Sequence, residues 1–180
     1  MYRPSLYNKH NESMEHFSEK FNSCPVCRHI KMEPHPVETF DNDGVFVDTE
    51  TGKSIGYDWE YRKNYFANCV FRFKTLGQYE RKLQKESIQL SLQCDSTETG
   101  IAVGWHEDWL REPVERKALK TDSPQDEDGS VRNTRKFKIY SFEEMASFKH
   151  MVAAAMERGI YSSRIFQLAE NGWGAGANHG

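Results

Sequence analysis

Cys24-Pro25-Val26-Cys27 is the pattern in this chain most plainly suited to chemistry. Two thiols two residues apart, with proline after the first, predict a tight turn that aims both sulfurs at one point. That is half of a tetrahedral zinc site. Four donor sets compete for the other half. His29 and His35 are local, and they complete the expected ligand set of Cys24, Cys27, His29 and His35. His10 and His16 precede the pair, Cys69 and Cys94 are distant, and a mixed set takes one local histidine with one distant cysteine. Four protein ligands leave no open coordination position, so such a zinc is structural rather than catalytic. The plain alternative is an unmetallated turn with reduced thiols.

Charge is segregated along the chain. Residues 62–85 carry seven basic side chains, Arg62, Lys63, Arg72, Lys74, Arg81, Lys82 and Lys85, against Glu80 alone. Tyr65, Phe66, Phe71, Phe73 and Tyr79 are interleaved with them. Cations attract phosphate and aromatic faces stack on bases, so Arg62, Lys63, Arg72, Lys74, Arg81 and Lys82 form a candidate nucleic-acid surface. Residues 95–128 carry the opposite charge, ten acids against four bases. An acidic loop over 107–130 suits a basic protein surface better than a phosphate backbone.

Asp58 and Glu60 on one strand candidate, with the triplet Glu80-Arg81-Lys82 on another, form a third candidate. This resembles the carboxylate and E-x-K part of the PD-(D/E)xK nuclease superfamily, over about residues 48–92. The resemblance implies that Asp58 and Glu80 hold Mg²⁺ while Lys82 helps activate the attacking water. Two departures stand against it. The residues before Glu80 are Leu76-Gly77-Gln78-Tyr79 rather than an apolar run, and no Pro-Asp precedes them. His106-Glu107-Asp108 is a weaker cluster and is expected to be a solvated strand end. There is no phosphate-binding glycine loop, nucleophile elbow or H-E-x-x-H zinc motif.

These residues need a scaffold. The chain has 180 residues, enough for one cored domain with extensions. Only 37% of it is hydrophobic and mean hydropathy is −0.81, yet 13% is aromatic, so the core is expected to rest on Phe, Tyr and Trp. Asn11 to Phe21 spaces Met14, Phe17 and Phe21 as one helical face. Val45–Asp48, a turn over 49–52 and Lys53–Arg62 read as a β-hairpin. Cys69–Lys74 and Gln78–Leu83 are short strand candidates. Ser87–Cys94 alternates Ile88, Leu90, Leu92 and Cys94 against Ser87, Gln89, Ser91 and Gln93, the pattern of a half-buried antiparallel strand. Ser141 and Glu144 form a capping box for a helix over 142–158, which Gly159 ends.

The expected architecture is therefore α+β. A mostly antiparallel sheet with one main C-terminal helix spans 41–168, behind a zinc-clipped extension over 1–40 and ahead of a glycine-rich tail over 169–180. No apolar stretch approaches membrane length and no leader-like segment opens the chain, so a cytoplasmic protein with reduced thiols is expected. The leading function is a non-enzymatic binding or regulatory module that contacts nucleic acid, or a protein acting on it. The alternatives are a small Mg²⁺-dependent nuclease and a protein–protein inhibitor or adaptor working through the acidic loop.

Overall fold

The computed structural model describes residues 4–35, 42–62, 84–95, 97–111 and 137–173; at 4–8, 62, 95 and 171–173 only the backbone course is described. Helix α1 (Pro4–Ser23) leads into strands β1 (Ile30–Pro34), β2 (Gly44–Asp48) and β3 (Ser54–Arg62). Strands β4 (Leu90–Asp95) and β5 (Gly100–Trp105) follow, then helix α2 (His106–Arg111) and strand β6 (Phe137–Ser141). A 3₁₀ turn (Phe142–Glu144) runs into helix α3 (Met145–Arg158), and helix α4 (Arg164–Gln167) runs into a π-helical turn (Leu168–Trp173).

The six strands form one sheet in sequence order. Every pair is antiparallel except β3–β4. The α+β expectation holds, with the sheet mostly antiparallel and a C-terminal helix present, although α1 at 20 residues is longer than α3 at 14. Strand β4 differs from its expectation in one respect. It runs parallel to β3, which places a crossover, residues 63–89, between the two.

The β2–β3 hairpin is closed by Asp48. Its Oδ1 accepts the N–H groups of Glu50 at 2.9 Å and Thr51 at 3.2 Å, and Gly52 takes the left-handed conformation at φ 79°. This is the turn chemistry that aspartate and glycine bring to a short loop. The capping box at 141–144 is also present, with the Ser141 N–H donating to Glu144 Oε1 at 2.9 Å. Gly159 ends α3 at φ 65°.

The core lies between the sheet and the pair α1/α3. Met14, Phe17 and Phe21 are fully buried, as the helical spacing predicts. Phe148 of α3 sits at the centre of the aromatic cluster. Its ring lies 5.6 Å from Phe17, 5.7 Å from Phe21, 5.9 Å from Phe46 and 5.4 Å from Tyr140. Edge-to-face pairs of this kind add to area burial. Residues from α1 and β1 thus share one core and one sheet with the later elements.

Glycine is required at Gly56. A Cβ there would collide with the Ser87 carbonyl, because the end of the crossover lies directly against β3. The Gly56 carbonyl accepts the Gln89 N–H at 2.9 Å, which guides the chain into β4.

Candidate functional site

Strand β3 outruns β2. Their pairing ends at Gly44↔Tyr57, while β3 continues to Arg62 against β4 alone. The backbone groups of Trp59 would be left open on that side. Side chains satisfy both. The Asp43 carboxylate, just before β2, accepts the Trp59 N–H at 2.7 Å, and His10 Nε2 on α1 donates to the Trp59 carbonyl at 2.8 Å. Ser13, three residues after His10, receives the Trp59 indole N–H at 3.0 Å. Helix α1 is therefore docked at this edge by two polar contacts.

The electrostatics follow from the placement. His10 Nε2 lies 3.6 Å from Asp43 Oδ2. Burial by itself would depress the imidazole, but the Asp43 carboxylate outweighs it and raises His10 to about 9. Burial would likewise raise Asp43, but His10 and the Trp59 N–H hold its carboxyl below the ordinary range. The Asp58 side chain adds a smaller contribution in the same direction. Glu60 is two residues beyond Asp58 and so on the same face of β3.

That face of the sheet is polar and nevertheless buried. Asp58 pairs in register with Ser91 of β4, and Ser91 with Gly104 of β5. Ser91 and Gln93 are each 1% exposed, so β4 is buried on both sides rather than half-solvated. Ser91 Oγ lies 2.6 Å from His106 Nε2. His106 is 3% exposed and opens α2, so the expected solvated strand end is instead a buried helix start. Asp108 is turned to another task, accepting the Ser163 N–H at 2.7 Å and the Ser163 hydroxyl at 3.0 Å. This ties α2 to the start of α4.

The cysteine turn forms a separate site. Cys24 and Cys27 are both half-buried and reduced. Cys27 adopts φ 46°, a left-handed conformation rare outside glycine, and its Sγ lies 3.5 Å from His150 Nδ1 on α3. Burial pushes the Cys27 thiol upward in pKa, opposed by the charge of Lys149. Lys149 itself is fully buried, with Nζ donating to the Cys24 carbonyl at 3.0 Å and lying 4.9 Å over the Phe21 ring. A cavity of about 510 Å³ opens beside Cys27, with His29, Asp48 and Lys53 among its lining residues.

The residues singled out in the sequence are distributed unevenly over these sites. His29 shares the cavity with Cys27, whereas His35 lies at the far end of β1, six residues on or roughly 20 Å of extended chain. His10 faces Trp59 and Asp43, His16 lies 3.6 Å from Glu98, and Cys94 is buried in the core. Asp58 joins the carboxylate edge. Glu80, Lys82, Lys63, Arg72, Lys74, Arg81 and Cys69, with the acidic loop beyond residue 111, lie outside the described residues, and Arg62 is described only in its backbone. Among the described residues no group of three or more His, Cys, Asp or Glu side chains is arranged to hold a metal ion as it stands. Also among them, no helix is long and apolar enough to cross a membrane.

Asp43 and His150 carry no signal of function in the sequence, and Ser91 is marked there only as the polar side of a strand. The alternation Asp58-x-Glu60 on a strand was visible and marks one acidic face. Asp43 gave no signal beyond its place before a strand, and His150 is separated from Cys27 by 123 positions. No family model, no curated protein and no solved structure matches this chain.

Proposed function

We propose that this protein is a divalent-cation-dependent phosphodiester hydrolase acting on nucleic acid, with Asp43, Asp58 and Glu60 as its acidic edge. The observation that supports this most is the placement of Asp43, just before β2, on the Trp59 N–H at the edge where β3 carries Asp58 and Glu60 beyond the end of β2. Mg²⁺ is commonly held by only one or two carboxylates together with substrate phosphates, so this donor set suits it without a third protein ligand. Bound there, Mg²⁺ supplies a Lewis acid for a phosphoryl oxygen and a water of lowered pKa. The protein's own part is to keep Asp43 ionised through His10, to fix the carboxylate on the Trp59 N–H, and to set Asp58 in register beside Ser91 of β4. The basic, aromatic segment that follows β3 in the sequence supports nucleic acid as the substrate, since Arg62 ends the acidic strand and six further cations follow by residue 85. Glu80 and Lys82 belong to that segment, and their part in the reaction rests on the sequence resemblance.

The test is cleavage of single- and double-stranded DNA and RNA with Mg²⁺ or Mn²⁺. Activity should appear with the metal, vanish with chelator, and be abolished by Asp58→Asn in a protein that still unfolds cooperatively. Salt-sensitive binding of nucleic acid, without cleavage under either metal, would replace this reading with the non-enzymatic binding module.

A further inference from the structure

The contact between Cys27 and His150 has a length that two chemistries share. An S–H···N hydrogen bond is one. The edge of a tetrahedral zinc site is the other: with Zn–S about 2.3 Å and Zn–N about 2.05 Å, sulfur and nitrogen bound to one zinc stand roughly 3.5 Å apart. The observed separation is 3.5 Å. The thiol belongs to a two-cysteine turn and its partner to the main helix, and His29 lines the same cavity as Cys27.

We infer that Cys24, Cys27, His29 and His150 form a zinc site that clips the turn between α1 and β1 onto α3. The donors do not all converge in the present side-chain arrangement. Side chains of the turn must rotate to close the set, while the backbone at Cys24 is held by the Lys149 ammonium. The charge balance is favourable. Zn²⁺ with two thiolates and two neutral imidazoles is neutral overall, so a buried site carries no net ionic penalty of its own. Binding releases one proton from each thiol that becomes a ligand.

The clip joins residues 123 positions apart, and it does so beside a left-handed cysteine and a buried lysine. A metal there restrains the place where α1 gives way to the sheet. His35 takes no part, since β1 carries it away from the turn.

Cobalt tests this without reference to any activity. Reduced, metal-stripped protein titrated with Co²⁺ should develop thiolate-to-cobalt charge-transfer absorption and the visible bands of tetrahedral cobalt, both lost on adding Zn²⁺. Elemental analysis should return about one zinc per chain after dialysis against zinc and then buffer. Cys27→Ser and His150→Ala should each weaken Co²⁺ binding at least about tenfold, while His35→Ala leaves it unchanged. Absence of charge-transfer absorption in the wild-type chain would overturn the site, and so would full retention of the tetrahedral bands in His150→Ala. His150 is half-buried on the helix surface, so its replacement tests the ligand rather than the fold.

Discussion

The two faces of the central strands are built from opposite materials and are buried almost equally. On one face Tyr57, Trp59, Leu90, Leu92, Val103 and Trp105 meet α1 and α3 in an apolar cluster. On the other, Asp58, Ser91 and Gln93 are 7%, 1% and 1% exposed. Apolar burial is favourable with no special geometry, at about 25 cal/mol per Å². A buried polar group is favourable only when each donor and acceptor is matched. The first face therefore holds the molecule together, and the second consumes stability that ordinary packing would have kept. Proteins retain such arrangements where side chains have work to do.

The contrast can be broken at its apolar side first. Phe148→Ala removes the ring shared by α1, β2 and β6 and should cost about 3–5 kcal/mol in denaturant unfolding. It should impair every function in proportion to the unfolded fraction. Gly56→Ala drives a methyl into the Ser87 carbonyl, and overpacking of this kind should cost about 1–3 kcal/mol. If it left stability unchanged, the crossover would not press on β3 as described.

The polar face predicts a different signature. Ser91→Ala takes from His106 its 2.6 Å partner and should cost about 1–2 kcal/mol. Cleavage should fall by more than that loss of folded protein explains. Equal losses in both would make the Ser91–His106 pair an ordinary core contact.

The smallest expected effect is a pH dependence at the edge of β3. His10 has its folded pKa raised to about 9 from 6.5, so its stabilising contribution is complete below pH 6.5 and fades as the pH rises to about 9. Asp43 is shifted the other way, so its contribution is complete above its ordinary pKa and is lost as the pH falls below it. The pair is partly exposed, which reduces its value to on the order of 1–2 kcal/mol. Unfolding midpoints measured from pH 6 to 9.5 should decline in the wild-type chain and flatten in His10→Gln. A flat wild-type profile would separate His10 from Asp43.

Much of the apolar face was readable from the sequence. The spacing of Met14, Phe17 and Phe21, the hairpin around Asp48 and Gly52, and the alternation from Ile88 to Cys94 each carry a local period. The second face was not readable, because a polar alternate position on a strand has the same appearance whether water or protein covers it. Ser91 and Gln93 read as solvent-facing for that reason. The parallel pairing of β3 with β4 was hidden too, since register between strands separated by a crossover leaves no local mark. His150 lay within a helix whose core-facing stripe accounted for its neighbours, and only the fold brings it to Cys27.

The parallel β3–β4 pair also sets an order on events during synthesis. Helix α1 and strands β1 to β3 are contiguous, and their antiparallel meander needs only short loops. The outer edge of β3 cannot be covered until residue 95 has left the ribosome and the crossover has closed. Until then a nine-residue strand stands with one side open, the situation in which nascent chains pair wrongly with each other. Asp58, Glu60 and Arg62 lie on that strand. Charges at such an edge make a second copy a poor partner, so the carboxylates proposed to hold the metal ion would first serve to keep the unfinished chain apart from its neighbours.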